Sequence, residues 1–161
     1  MPEPLIDLQI ACTDALPISQ EQLVLFVQTA LEAHASEAQV TLRLVDVPEI
    51  IHLNKTYRNR DKATNVLAFP STVPKEIPVF PPLLGDVVIA PAVLAAEAIE
   101  QNRALDAHWA HITLHGVLHL LGYDHTGEKD TQHMQAMEIG LLNKLGFCDP
   151  YATIDKDKER V

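Results

Sequence analysis

Apolar and polar residues alternate from Leu5 to Ala11, with Ile6, Leu8 and Ile10 set against Leu5, Asp7 and Gln9; a period of two predicts a half-buried strand. After a turn at Asp14 to Pro17 the period lengthens. Ser19 and Gln22 have capping-box spacing, and Leu23, Val24, Val27, Ala30 and Leu31 recur at helical intervals to about Ala35. Gln39 to Val45 alternates again with Val40, Leu42 and Leu44 on one face, and Asp46 stands where it can cap a short helix beginning near Pro48. Asn65 to Phe69 is a β-prone run stopped by Pro70, Ser71 to Leu84 reads as a proline-rich loop, and Gly85 to Ala90 as a further buried strand. Pro91 opens an alanine-rich helix to about Asn102, Leu105 to Leu121 forms another, and Met134, Met137, Leu141, Leu142 and Leu145 keep helical spacing until Gly146.

This order predicts an α+β fold: a single domain with a small mixed sheet of about four strands covered by about five helices. The pattern leaves sheet order and strand direction open. A chain of 161 residues with 47% hydrophobic content buries one sizeable core, expected over residues 1–151, with 152–161 a charged tail that frays. The formal net charge of −10 is the wrong sign for sequence-independent grip on nucleic acid, so any RNA contact must be local. Cys12 and Cys148 lack metal-ligand spacing and read as reduced thiols. The opening Met-Pro-Glu-Pro has no basic leader, and the apolar run from Val87 is broken by Pro91, so a cytoplasmic protein is expected.

The chemistry concentrates in His115-Gly-Val-Leu-His119-Leu-Leu-Gly122-Tyr-Asp-His125. Two histidines four apart on a helix share a face and can share one ion. A third ten residues on would lie roughly 15 Å along a continuing helix, so the helix must stop; Gly122 can take the left-handed conformation that folds His125 back. Three neutral imidazoles leave a fourth zinc position open to water, the pattern of catalytic sites. The spacing equals that of H-E-x-x-H-x-x-G-x-x-H zinc proteases, but Gly116 stands in place of their general base, which argues against peptide hydrolysis. His108 and His111 lie upstream on the same face and read as supporting, substrate-facing or packed residues.

Lys55, Arg58, Arg60 and Lys62 form a basic island within eight positions of an otherwise acidic chain. Arg58 is the candidate catalytic residue, because its planar fork can hold two phosphate oxygens. Lys55, Arg60 and Lys62 are candidates for substrate binding, and Asp86 and Asp124 for orienting a ligand imidazole or handling a proton.

The run HGVLHLLGYDH resembles the signature of the YbeY family of zinc-dependent endoribonucleases. Leu53-Asn54-Lys55-Thr56-Tyr57-Arg58, Thr64 to Pro70, Leu84-Gly85-Asp86-Val87 and Asp149-Pro150-Tyr151 resemble further family stretches. The resemblance implies one zinc ion on His115, His119 and His125, activity involving Arg58, and cleavage of single-stranded RNA. It implies small-subunit (16S) ribosomal RNA 3′-end maturation and ribosome quality control, with the ribosome, ribosomal proteins and assembly factors as partners. Asn65 and Ala68 depart from the family's Thr-Asp-Val-Leu-Ser-Phe, and an asparagine cannot act as a general base. The alternatives are a zinc metallopeptidase-like hydrolase and a non-catalytic, zinc-stabilised ribosome assembly factor.

Overall fold

Alternation decides how the sheet faces its helices. In a computed structural model describing residues 6–34, 36–72, 76–77 and 82–152, strands β1 (Ile6–Ile10), β2 (Gln39–Leu44), β3 (Val66–Pro70) and β4 (Leu83–Ile89) form one sheet in the order β1-β2-β4-β3. β1 and β4 run parallel to β2, and β3 runs antiparallel to β4, so the sheet is mixed as expected. On one face, Val40, Leu42 and Leu44 of β2 and Val87 and Ile89 of β4 join the main core. The intervening positions, among them Thr41, Arg43, Asp86 and Val88, line the opposite side.

The main core is closed by α1 (Gln20–Ala33), α3 (Pro91–Glu100), α4 (Leu105–Leu120) and α5 (Glu128–Lys144). The capping box of α1 is present: Gln22 N–H donates to Ser19 Oγ at 3.1 Å and Ser19 N–H to Gln22 Oε1 at 3.3 Å. Helix α2 (Val47–Arg58) is longer than expected and covers part of the other face, where Ile50 packs with Leu67, Val88 and Val45. Asp46 precedes α2 without a side-chain capping bond. Its Oδ1 accepts instead from Thr13 N and Oγ1, tying the chain after β1 to the end of β2.

Helix α4 is enclosed on nearly every side, with Trp109, Leu114, Val117 and Leu118 fully buried. Burying each such side chain stabilises by roughly 1.5–3 kcal/mol, so the helix that carries the histidines is also a main anchor of the fold. The expected frayed tail lies outside the described residues apart from Ala152, as does part of the proline-rich loop. No helix among the described residues is long and apolar enough to cross a membrane.

Candidate metal centre and its cleft

Gly116 sets the distance between α4 and the sheet. A Cβ there would meet Val87 Cγ1 at 2.6 Å and Val66 Cγ2 at 3.2 Å. The helix backbone therefore lies against β3 and β4, and the space a glutamate would need is filled by valines. Residues on either side of this contact, His115 and His119, are left at the rim of the sheet. The helix then ends in a Schellman turn: Gly122 N–H donates to His119 O at 3.1 Å and Tyr123 N–H to Leu118 O at 3.0 Å, with Gly122 at φ +104°. The reversal carries Asp124 and His125 back over the helix end.

The three histidines consequently meet. Ring centroids are 4.6 Å apart for His115 and His119, 5.0 Å for His119 and His125, and 6.0 Å for His115 and His125. Nε2 of His115 faces Nε2 of His119 at 3.1 Å. His115 Nδ1 lies 3.3 Å from Glu138 Oε1, so it donates to the carboxylate and leaves a lone pair on Nε2. The His119 ring is hydrogen-bonded to the Tyr123 backbone, while burial first, then its neighbours His115 and His125, lower its pKa and keep it neutral. Two nitrogen lone pairs turned toward each other repel unless a proton or cation lies between them. Two nitrogens bound to one zinc at about 2.0–2.1 Å stand about 3.3 Å apart at a tetrahedral angle, so the His115–His119 pair is spaced for such an ion, with the His125 ring beside it.

Two sets of donors lie close enough together to hold a metal, and they divide the three histidines: His111, His115 and Glu138, largely buried, and His119, Asp124 and His125. Glu138 is 1% exposed. Burial pushes its pKa up, but hydrogen bonds from His111 and His115 outweigh this and hold it at about 2. His111 Nε2 lies 2.6 Å from Glu138 Oε2, and the Tyr151 hydroxyl donates to Glu138 at 2.8 Å.

Arg58 shares the histidine cleft, a cavity of about 510 Å³ also lined by Asn65, Ala68, Asp124 and Tyr123. It ends α2 and reaches the sheet edge, where Nη2 donates to Ala68 O at 2.7 Å and Cζ lies 5.1 Å from the Phe69 ring centre. Its remaining N–H groups include enough donors for an anion in the cleft. Asp124 is at the site, its Oδ1 accepting from His125 N at 2.7 Å.

Asp86 is placed elsewhere. Because Val87 faces α4, Asp86 turns to the opposite sheet face and lines a cavity of about 760 Å³ that shares Arg58 and Pro70 with the histidine cleft, so it is not among the residues lining that cleft. Lys55, Arg60 and Lys62 do not line the histidine cleft. Lys55 lies 3.9 Å from Asp61 on an exposed surface, and the turn carrying Arg60 and Lys62 is pinned by buried Asn54, whose Nδ2 donates to Lys62 O. Asn65 donates to Glu97, which also pairs with His108 Nε2 at 3.0 Å.

Sequence reading missed Glu138 and Tyr151 as site residues. Glu138 falls four residues after Met134 and three before Leu141, so its place within an apolar stripe was the available signal.

The family model described as "Endoribonuclease YbeY" matches residues 9–146. Endoribonuclease YbeY proteins of Legionella pneumophila, strains Corby and Lens, are each 47% identical over 154 residues, spanning 96% of this chain and 98% of the relative. A Thermotoga maritima protein solved in solution superposes with a TM-score of 0.56 at 23% identity, over 89% of this chain and 98% of that one, a likeness of fold. With the family match spanning β2 to β4, the basic turn and all three converging histidines, the chain belongs to the endoribonuclease YbeY family.

Proposed function

We propose that this protein is a zinc-dependent, single-strand-specific endoribonuclease acting in small-subunit (16S) ribosomal RNA 3′-end maturation and ribosome quality control, in contact with ribosomal proteins and assembly factors in the cytoplasm. Family membership makes it a hydrolytic endoribonuclease. The observation that carries the finer reading is the facing of His115 Nε2 and His119 Nε2 at 3.1 Å in one cleft with His125 and Arg58.

His115, His119 and His125 would hold the ion, and His111 and Glu138 would support it from behind. A bound zinc ion supplies Lewis acidity toward a phosphoryl oxygen and acidifies water near neutral pH. Arg58, anchored at Ala68 O and lining the cleft, would neutralise charge on the phosphate with its remaining N–H groups. Asp124 is the acid nearest the third histidine and is the group we assign to proton handling. The valines around Gly116 leave no space for a glutamate base, which weighs against a peptidase.

Arg58→Ala tests this reading. The variant is expected to keep its fold and bound zinc but to lose labelled single-stranded RNA cleavage by about 10²–10³-fold, the usual cost of removing one charge-stabilising donor. His125→Ala is expected to lose zinc by elemental analysis. Undiminished cleavage by Arg58→Ala removes that residue from the site.

A further inference from the structure

Glu138 sits on the inward face of α5 beside the buried Met134, Leu141 and Leu142. A carboxylate in such a place is costly unless its oxygens are hydrogen-bonded. Here three donors come from two separate parts of the chain, α4 and the segment at Tyr151. His111 Nε2 approaches Oε2 at 2.6 Å, His115 Nδ1 approaches Oε1 at 3.3 Å, and the Tyr151 hydroxyl bridges both oxygens at 2.8 and 3.0 Å. Among the described residues its ion-pair partners are histidines only. The segment that brings Tyr151 is itself held: Tyr151 N–H donates to Asp149 Oδ1 at 2.7 Å, and Arg103 Nη2 donates to Pro150 O.

A neutral imidazole carries one proton, and the hydrogen bond made by one nitrogen decides what the other can do. With Nδ1–H committed to Glu138, His115 has its lone pair on Nε2, the atom that faces His119. Without that acceptor the proton is free to occupy Nε2, where it would block a cation. The 2.6 Å between His111 Nε2 and Glu138 Oε2 is hydrogen-bond length, shorter than the about 3.3 Å between two ligand atoms on one tetrahedral zinc. A proton rather than a metal therefore fits between them.

We propose that Glu138, steadied by His111 and by the C-terminal Tyr151, is a positioning residue that locks His115 in the Nδ1–H tautomer and so presents Nε2 to a divalent cation. This rests on the reading of His115 as a ligand. It makes the Asp149–Tyr151 segment part of the metal centre although Tyr151 lies outside the histidine cleft.

The test uses the full chain and cobalt(II) as the probe. In metal-free wild type, long-range ¹H–¹⁵N spectra are expected to show His115 protonated at Nδ1, and cobalt titration to give one equivalent bound. Glu138→Gln is expected to populate the Nε2–H form and to bind cobalt about 10–100-fold more weakly, the usual cost of losing a residue that orients a ligand. Tyr151→Phe, which stays folded, is expected to shift both readouts less, and decides the matter if Glu138→Gln does not fold. An unchanged tautomer and affinity in these variants overturns the proposal. So does a second cobalt equivalent in wild type that Glu138→Gln abolishes, since Glu138 would then be a ligand itself. Equal cobalt binding by wild type and His115→Ala removes the metal-centre reading as well; unchanged affinity in Glu138→Gln alone removes only the positioning role.

Discussion

Gly116 illustrates how one residue can answer two questions. As a motif position it signals a missing general base, and that much was legible from H-G-x-x-H alone. As a packing position it is the point where α4 touches Val66 and Val87, which the sequence could not reveal because those partners lie on two strands far away in the chain. Adding a methyl at this contact forces the helix or the valines to move, at a cost of typically 1–3 kcal/mol, whereas alanine's better helix propensity returns at most about 1 kcal/mol. Gly116→Ala is therefore expected to lower the urea midpoint and to weaken zinc binding by shifting the flanking histidines; a midpoint above wild type would refute the close packing. Glu138 was hidden for the opposite reason. Helical spacing marks which face is inward but not whether an acid on that face finds donors, and its donors come from α4 and from Tyr151.

At the scale of elements, α4 concentrates four histidines, and burial makes two of them reluctant to charge. His108, 2% exposed, has its pKa lowered first by desolvation, with the partner Glu97 opposing. Its folded pKa lies below the unfolded value of 6.5, so the unfolded chain binds more protons. The stability this neutral histidine allows is complete above about pH 6.5 and is lost as pH falls from there toward the depressed folded value, at up to about 1.4 kcal/mol per pH unit for one such group. Metal-free protein is expected to lose unfolding free energy as pH falls below about 6.5, and His108→Gln, which keeps an amide toward Glu97, to show a shallower slope there. An identical slope in the variant would assign the acid sensitivity to other groups. The elements themselves were well marked, since period two and helical spacing each bury one face. Register, sheet order and the turning of Asp86 away from the histidines follow from which strand face meets α4, and that depends on contacts between distant segments.

For the whole molecule the governing quantity is charge. The chain carries −10 overall, and the structure separates Arg58 from the rest of its basic island: Arg58 enters the histidine cleft while Lys55, Arg60 and Lys62 stay outside it. Binding to single-stranded RNA scales with the number of phosphates neutralised, at about −0.7 in the logarithmic salt slope for each. One arginine and one bound cation account for one or two phosphates, so a slope of roughly −0.7 to −1.4 is expected for free RNA, with weak affinity. Added salt also screens the repulsion between RNA and the acidic surface, which opposes the loss of affinity and flattens the slope further. Arg58→Ala should reduce the slope by close to one phosphate equivalent, about 0.7, while the combined Lys55→Ala, Arg60→Ala, Lys62→Ala variant leaves it unchanged. Fluorescence anisotropy with a labelled single strand across about 50–200 mM salt measures this. A slope as steep as about −3 that the triple variant relieves would return the whole basic island to the RNA-binding face.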